Sequence, residues 1–113
     1  MDSMLALRTF SGIKIINYND IFYCRADGRY TQVFIKDGKS ILTARLLKSF
    51  ENKLPGDIFL RIHKSYIINL NYITDFSKNG SAFLVLGSGT KLEVSKRRKK
   101  EIFEKLNSNF IFV

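Results

Sequence analysis

Turn signals recur along this chain at short intervals and cut it into segments that suit strands and brief helices. They are Ser11-Gly12, Asn19-Asp20, Asp27-Gly28, Asp37-Gly38, Pro55-Gly56, Asn79-Gly80 and Gly87-Ser88-Gly89, each built from residue types that enter tight turns readily. Between them lie runs with the two-residue period of a strand: Ile13 to Tyr18, Ile21 to Arg25, Tyr30 to Lys36, Ile41 to Thr43, Phe59 to His63, Tyr66 to Phe76, Ala82 to Leu86 and Thr90 to Val94. In the second, Phe22, Cys24 and Ala26 share one face. In the third, Val33 and Ile35 oppose Gln32, Phe34 and Lys36. Asp37-Gly38 is read as a type I′ hairpin turn, with positive φ at both positions.

The period changes twice. From Ala44 to Leu54, the residues Leu46, Leu47, Phe50 and Leu54 fall on one helical face, and Pro55-Gly56 stops the helix. A second helix is predicted over Lys96 to Leu106, with Ile102, Phe103 and Leu106 as its apolar side. The apolar tail from Phe110 to Val113 is expected to cap the core or add an edge strand. The fold class is mainly β with two short helices, and the short connections make the sheets antiparallel.

Length and composition narrow the functions. The 113 residues make one domain with a single core, and 45% hydrophobic residues suit a folded chain rather than a basic tail. Ten Phe and five Tyr without Trp favour strands. A formal net charge of +9 attracts polyanions. Cys24 and His63 are the only residues of their types, so no disulfide or zinc site forms within the chain, and no cofactor is expected. A reducing, cytoplasmic setting is the simplest inference. No apolar run approaches the roughly 20 residues that span a bilayer, and the start from Met1 to Arg8 lacks the form of a signal peptide.

Two cationic segments stand out. Ser95 precedes Lys96, Arg97, Arg98, Lys99 and Lys100, a block of cations at the positive end of a helix dipole, where Asp or Glu is the usual choice. Ser95 is read as the N-cap. A solvated charged face accounts for such a run as well as a phosphate site does. In the second segment, Arg61, His63, Lys64 and Ser65 are donors suited to phosphate oxygens or base edges, although a lone His at a strand end more often serves a local carbonyl. Asp27-Gly28-Arg29-Tyr30, taken alone, is a loop that merely exposes its Arg and Tyr. No close pair of carboxylates supports acid–base catalysis. Gly87-Ser88-Gly89 lacks the Lys and helix of a phosphate-cradling loop. Cys24 is read as core.

These segments, in order, resemble the LytTR-type DNA-binding domain, the output module of many bacterial response regulators. The resemblance covers about Gly12 to Leu106. It rests on the stretch from Asp20 to Thr31, on Leu46-Leu47-Lys48-Ser49-Phe50-Glu51, on Phe59 to Asn69, and on Val94 to Lys99, the third being the most specific. It implies an elongated arrangement of about ten mostly antiparallel strands whose loops enter successive major grooves and bend the DNA. It also implies contacts from the turn holding Arg29 and Tyr30, the loop holding His63 and Lys64, and the segment holding Arg97, with a second copy on a repeated half-site. Lys64 stands where some members carry Asn, which favours a phosphate contact there. The residues before the motif are too few for a phosphoacceptor receiver domain, so the chain is expected to be either an output domain cut from a longer protein or a stand-alone regulator.

The expected function is sequence-specific binding of double-stranded promoter DNA through Arg29, Tyr30, Arg61, His63, Lys64, Ser65, Lys96, Arg97 and Arg98, without catalysis, membrane or small-molecule substrate. Two other functions compete: a structural RNA-binding protein stacking Tyr and Arg on bases, and a small basic ribonuclease with His63 as acid–base. A single histidine argues against the two-histidine form of that chemistry.

Overall fold

The computed structural model describes residues 2–77 and 80–113. Strands β1 (Met4–Thr9) and β2 (Gly12–Asn17) form a hairpin. After a 3-10 turn at Tyr18–Asp20 come β3 (Ile21–Asp27), β4 (Tyr30–Ile35) and β5 (Ser40–Thr43). Helix α1 (Leu47–Lys53) leads to β6 (Phe59–His63) and β7 (Tyr66–Asn69). A 3-10 turn at Leu70–Tyr72 precedes β8 (Ile73–Ser77), β9 (Phe83–Leu86) and β10 (Lys91–Glu93). A 3-10 turn at Lys96–Arg98 then runs into helix α2 (Lys99–Asn109).

Among the described residues every strand pairing is antiparallel. A five-stranded sheet in the order β5-β4-β3-β7-β6 forms the middle layer. One face buries Ile21, Cys24, Val33 and Ile67 with Leu7 of the hairpin and Leu47 and Phe50 of α1. The other buries Tyr23, Leu60, Ile62 and Ile68 with Leu84 and Leu92 of the β10-β9-β8 sheet and Ile102 and Leu106 of α2. Each such aliphatic side chain stabilises the fold by about 1.5–3 kcal/mol on burial. The molecule measures 45 × 30 × 25 Å and is elongated.

Several local expectations are corrected. Phe22 does not share a face with Cys24 and Ala26, because the β3–β4 register shifts between Ile21 and Tyr23. Such a bulge turns the residue beside it out of alternation. Phe22 packs on the α2 side with Tyr72 at 4.5 Å, while Ile21 and Cys24 both face α1. Asp37-Gly38 is not a type I′ turn, since no described non-glycine residue has positive φ. Gly38 alone does, at 84°, and its N–H donates to the Ile35 carbonyl at 3.1 Å, as in the longer hairpin loops that end on a left-handed glycine.

The run from Tyr66 to Phe76 is two strands. Asn69 Oδ1 accepts the Asn71 N–H at 2.9 Å and opens the 3-10 turn between them. Asn17 does the same for Asn19 ahead of β3, so Asn-x-Asn is the sequence signal for both turns. Helix α1 begins at Leu47, not Ala44, because Leu46 is its extended cap residue and is 54% exposed. In α2, Ile102 and Leu106 are buried, whereas Phe103 is 40% exposed and meets the Phe112 ring edge-on at 5.6 Å. The tail from Phe110 neither joins a sheet nor covers the core, and its four side chains are exposed. Asn79 of the expected Asn79-Gly80 turn lies outside the described residues; Gly80 has φ 70°.

Cys24 is fully buried, and burial pushes its thiol up to about 12. A thiol held neutral and out of solvent is inert. The native protein is expected to resist thiol reagents at neutral pH, and Cys24→Ser to lose about 1–3 kcal/mol of stability by burying a hydroxyl. Denaturant midpoints measure the second effect, and an unchanged midpoint would remove Cys24 from the core. Because the unfolded thiol ionises near its ordinary 9.0, the contribution is complete below about pH 9 and is lost as the pH rises towards 12.

Candidate nucleic-acid interface

The β3–β4 and β6–β7 turns leave the middle sheet at the same end. Strands β3 and β7 are neighbours, with Arg25 paired to Tyr66, and the Ala26 N–H donates to the Ser65 carbonyl at 2.9 Å. The turn through Gly28, Arg29 and Tyr30 therefore stands beside His63, Lys64 and Ser65. Gly28 has φ 60°, a left-handed conformation glycine enters without steric cost. The third segment is tied to β6, where the Ser95 N–H donates to the Ile62 carbonyl at 2.9 Å. That bond brings the 3-10 turn holding Lys96, Arg97 and Arg98 next to His63. Arg29, Tyr30, Lys64, Lys96 and Arg97 are exposed; Arg61, His63, Ser65 and Arg98 are partly buried.

The His63 ring is oriented from two sides. Its Nδ1 accepts the Ser65 N–H at 3.1 Å, so the ring hydrogen sits on Nε2 and offers one donor. Glu93 Oε1 lies 3.7 Å from that nitrogen, too far for a hydrogen bond, and leaves it available to another acceptor. Behind the ring, an aromatic row crosses four strands. Tyr66 lies 5.3 Å from His63 and 6.3 Å from Tyr23, and Tyr23 stacks on Phe34 at 4.4 Å. The Arg25 guanidinium sits over Phe34 at 5.1 Å and donates to Gln32 Oε1 at 2.8 Å. Burial raises the Tyr23 phenol, against the lowering charge of Arg25.

Of the expected contact residues, Arg61 bonds within the protein and Arg98 has part of its guanidinium buried. Arg61 donates from Nε to the His63 carbonyl at 2.8 Å, from Nη2 to the Lys64 carbonyl and from Nη1 to Glu51 Oε1 at 2.9 Å. Its fork is occupied because the β6–β7 register shifts between Arg61 and His63, which frees nearby carbonyls for a side chain. Arg98 has its Nε buried without a partner among the described residues, and so has the Ser95 hydroxyl. Ser95 caps nothing with its side chain. The turn closes through backbone instead, the Arg98 N–H donating to the Ser95 carbonyl at 3.0 Å. The cation block thus begins in a 3-10 turn, one step before α2.

Other side chains join this end that composition alone did not mark. The Thr31 hydroxyl donates to the Arg45 carbonyl at 2.8 Å, and the Ala44 N–H donates to the Arg8 carbonyl at 2.9 Å. These bonds set exposed Arg8 and Arg45 near Tyr30. Phe10, 64% exposed at the β1–β2 tip, meets the Tyr30 ring edge-on at 5.0 Å. The pairing of β4 with β5 and the docking of the β1–β2 hairpin through Arg8 and Phe10 create this neighbourhood. The result is one cationic end carrying a histidine donor, an arginine fork and exposed aromatic rings. Among the described residues no three His, Cys, Asp or Glu side chains gather to hold a metal, and no helix is long and apolar enough to cross a membrane.

The LytTr DNA-binding domain family matches residues 11–107. Sensory transduction protein LytT of Bacillus anthracis is 34% identical over 101 residues, which cover 87% of this chain and 40% of that protein. The heme-containing CO-sensing transcriptional regulator RcoM 2 of Paraburkholderia xenovorans is 31% identical over 99 residues, 85% of this chain and 37% of that protein. The chain spans about two fifths of the length of these curated relatives. A solved LytTr DNA-binding domain from Bacillus cereus superimposes with a TM-score of 0.79 at 25% identity, covering 92% of this chain and 96% of that one. With sequence and fold agreeing over nearly all its length, the chain belongs to the LytTr DNA-binding domain family.

Proposed function

We propose that this domain reads double-stranded promoter DNA for a bacterial transcriptional regulator, its turns entering successive major grooves. The observation that carries the reading is the convergence of three sequence-distant segments at one end, through the Ala26–Ser65 and Ser95–Ile62 backbone bonds. Lys64, Lys96, Arg8 and Arg45 suit phosphates, which hold the duplex in register without reading it. His63 Nε2 and the Arg97 fork suit base edges. Arg29, Tyr30 and the Ser65 hydroxyl complete the surface. An end of this shape touches one half-site, so two copies on a repeat would cover a whole site. The domain does no chemistry on the DNA.

Selection of bound duplexes from a random library tests the proposal. An enriched motif with two spaced half-sites is expected, and a single unrepeated motif would remove the second copy. Failure to enrich any motif, or capture of the protein by RNA ahead of duplex at physiological salt, would sink the reading. Labelled RNA incubated with the protein without metal is expected to stay intact.

A further inference from the structure

The β6–β7 connection has an unusual construction. Only Lys64 and Ser65 separate the strands, yet neither has the positive φ of the favoured two-residue hairpin turns. The register irregularity between Arg61 and His63 takes up the mismatch, and the His63 and Lys64 carbonyls are both taken by the Arg61 guanidinium. The same side chain is 14% exposed and is anchored to Glu51 in α1, which also meets Lys48 at 3.5 Å. Each of the three guanidinium nitrogens therefore has an acceptor inside the protein. Three of the five N–H donors of Arg61 are spent in this way, and the side chain is mostly buried, so little of the guanidinium is presented to a phosphate.

Resting on the DNA-reading function proposed above, we infer that Arg61 is a positioning residue that clamps the β6–β7 turn and does not touch DNA. Its fork sets the two carbonyls, the turn they shape brings the Ser65 N–H onto His63 Nδ1, and that bond aims His63 Nε2 outward. Glu51 makes α1 the fixed point of the clamp. Lysine cannot replace the arginine, because a single ammonium lacks the rigid fork.

Arg61→Ala, Arg61→Lys and Lys64→Ala are compared on the library-enriched duplex and on a random duplex of equal length, over a salt series. Both Arg61 variants are expected to lose about tenfold of the preference for the enriched duplex, the scale of one base contact. Their slope of log K against log salt should stay that of the parent protein. Lys64→Ala should flatten the slope by about one unit, as loss of a phosphate contact does. Without DNA, amide exchange at Ser65 and Tyr66 should accelerate in both Arg61 variants, more than in Glu51→Gln, which keeps an acceptor. A slope flattened by Arg61→Ala, full rescue by Arg61→Lys, or unchanged exchange at Ser65 would overturn the inference. Should Arg61→Ala not fold, Arg61→Lys retains the stem and carries the same measurements. If the parent protein itself shows no preference, the proposed function fails, and the exchange experiment still decides the clamp.

Discussion

Raising the salt from about 50 to about 200 mM is expected to weaken duplex binding about a thousandfold. Arg8, Arg29, Arg45, Lys64, Lys96 and Lys99 lie in or beside the three converging segments. Among the described residues, no ion pair engages Arg29, Lys64, Lys96 or Arg97. The ion-paired lysines are elsewhere, Lys36 with Asp20, Lys39 with Asp37 and Lys48 with Glu51. If about six cations each meet a phosphate, the released counterions give a slope near −5 in log K against log salt. Over a fourfold rise in salt, that slope is about three decades. Titrating a labelled duplex across the range measures it, and an affinity indifferent to salt would show that the cationic end is not the contact.

The strands were readable because burial on one face leaves a period of two in the sequence. The cationic segments were readable because charge belongs to single residues. What escaped depends on two strands at once. The bulge between Ile21 and Tyr23 is a mismatch of β3 against β4, and neither strand announces it alone. Asn69 is fully buried and donates to the Ile21 carbonyl at 3.0 Å, a partner 48 residues away that no local pattern specifies. Three of the five N–H donors of Arg61 go to Glu51 and to two carbonyls of its own turn, partners that its residue type does not specify. The apolar tail misled in the opposite way. Composition says that burying Phe110 and Ile111 would be favourable, not that a surface lies within reach.

The same distinction between residue type and placement governs which side chains set sequence preference. Arg97 is exposed on the 3-10 turn, and its fork can take O6 and N7 of one guanine, while His63 offers its single Nε2 donor. A good base contact is worth about 1–3 kcal/mol of discrimination, so Arg97→Ala should weaken the enriched duplex roughly 10- to 100-fold more than random duplex. His63→Ala should fall at the lower end of that range, because one donor is lost rather than two. Lys96 and Lys99 line the hollow around Glu93 with Gly80 and Ser81 and carry point charges suited to phosphate. Their alanine variants should weaken both duplexes about equally and flatten the salt slope by about one unit each. Measuring the four variants on both duplexes separates the roles. Were Arg97→Ala to reduce both affinities by the same factor, Arg97 would be a phosphate contact, and sequence preference would have to come from the His63 and Tyr30 turns.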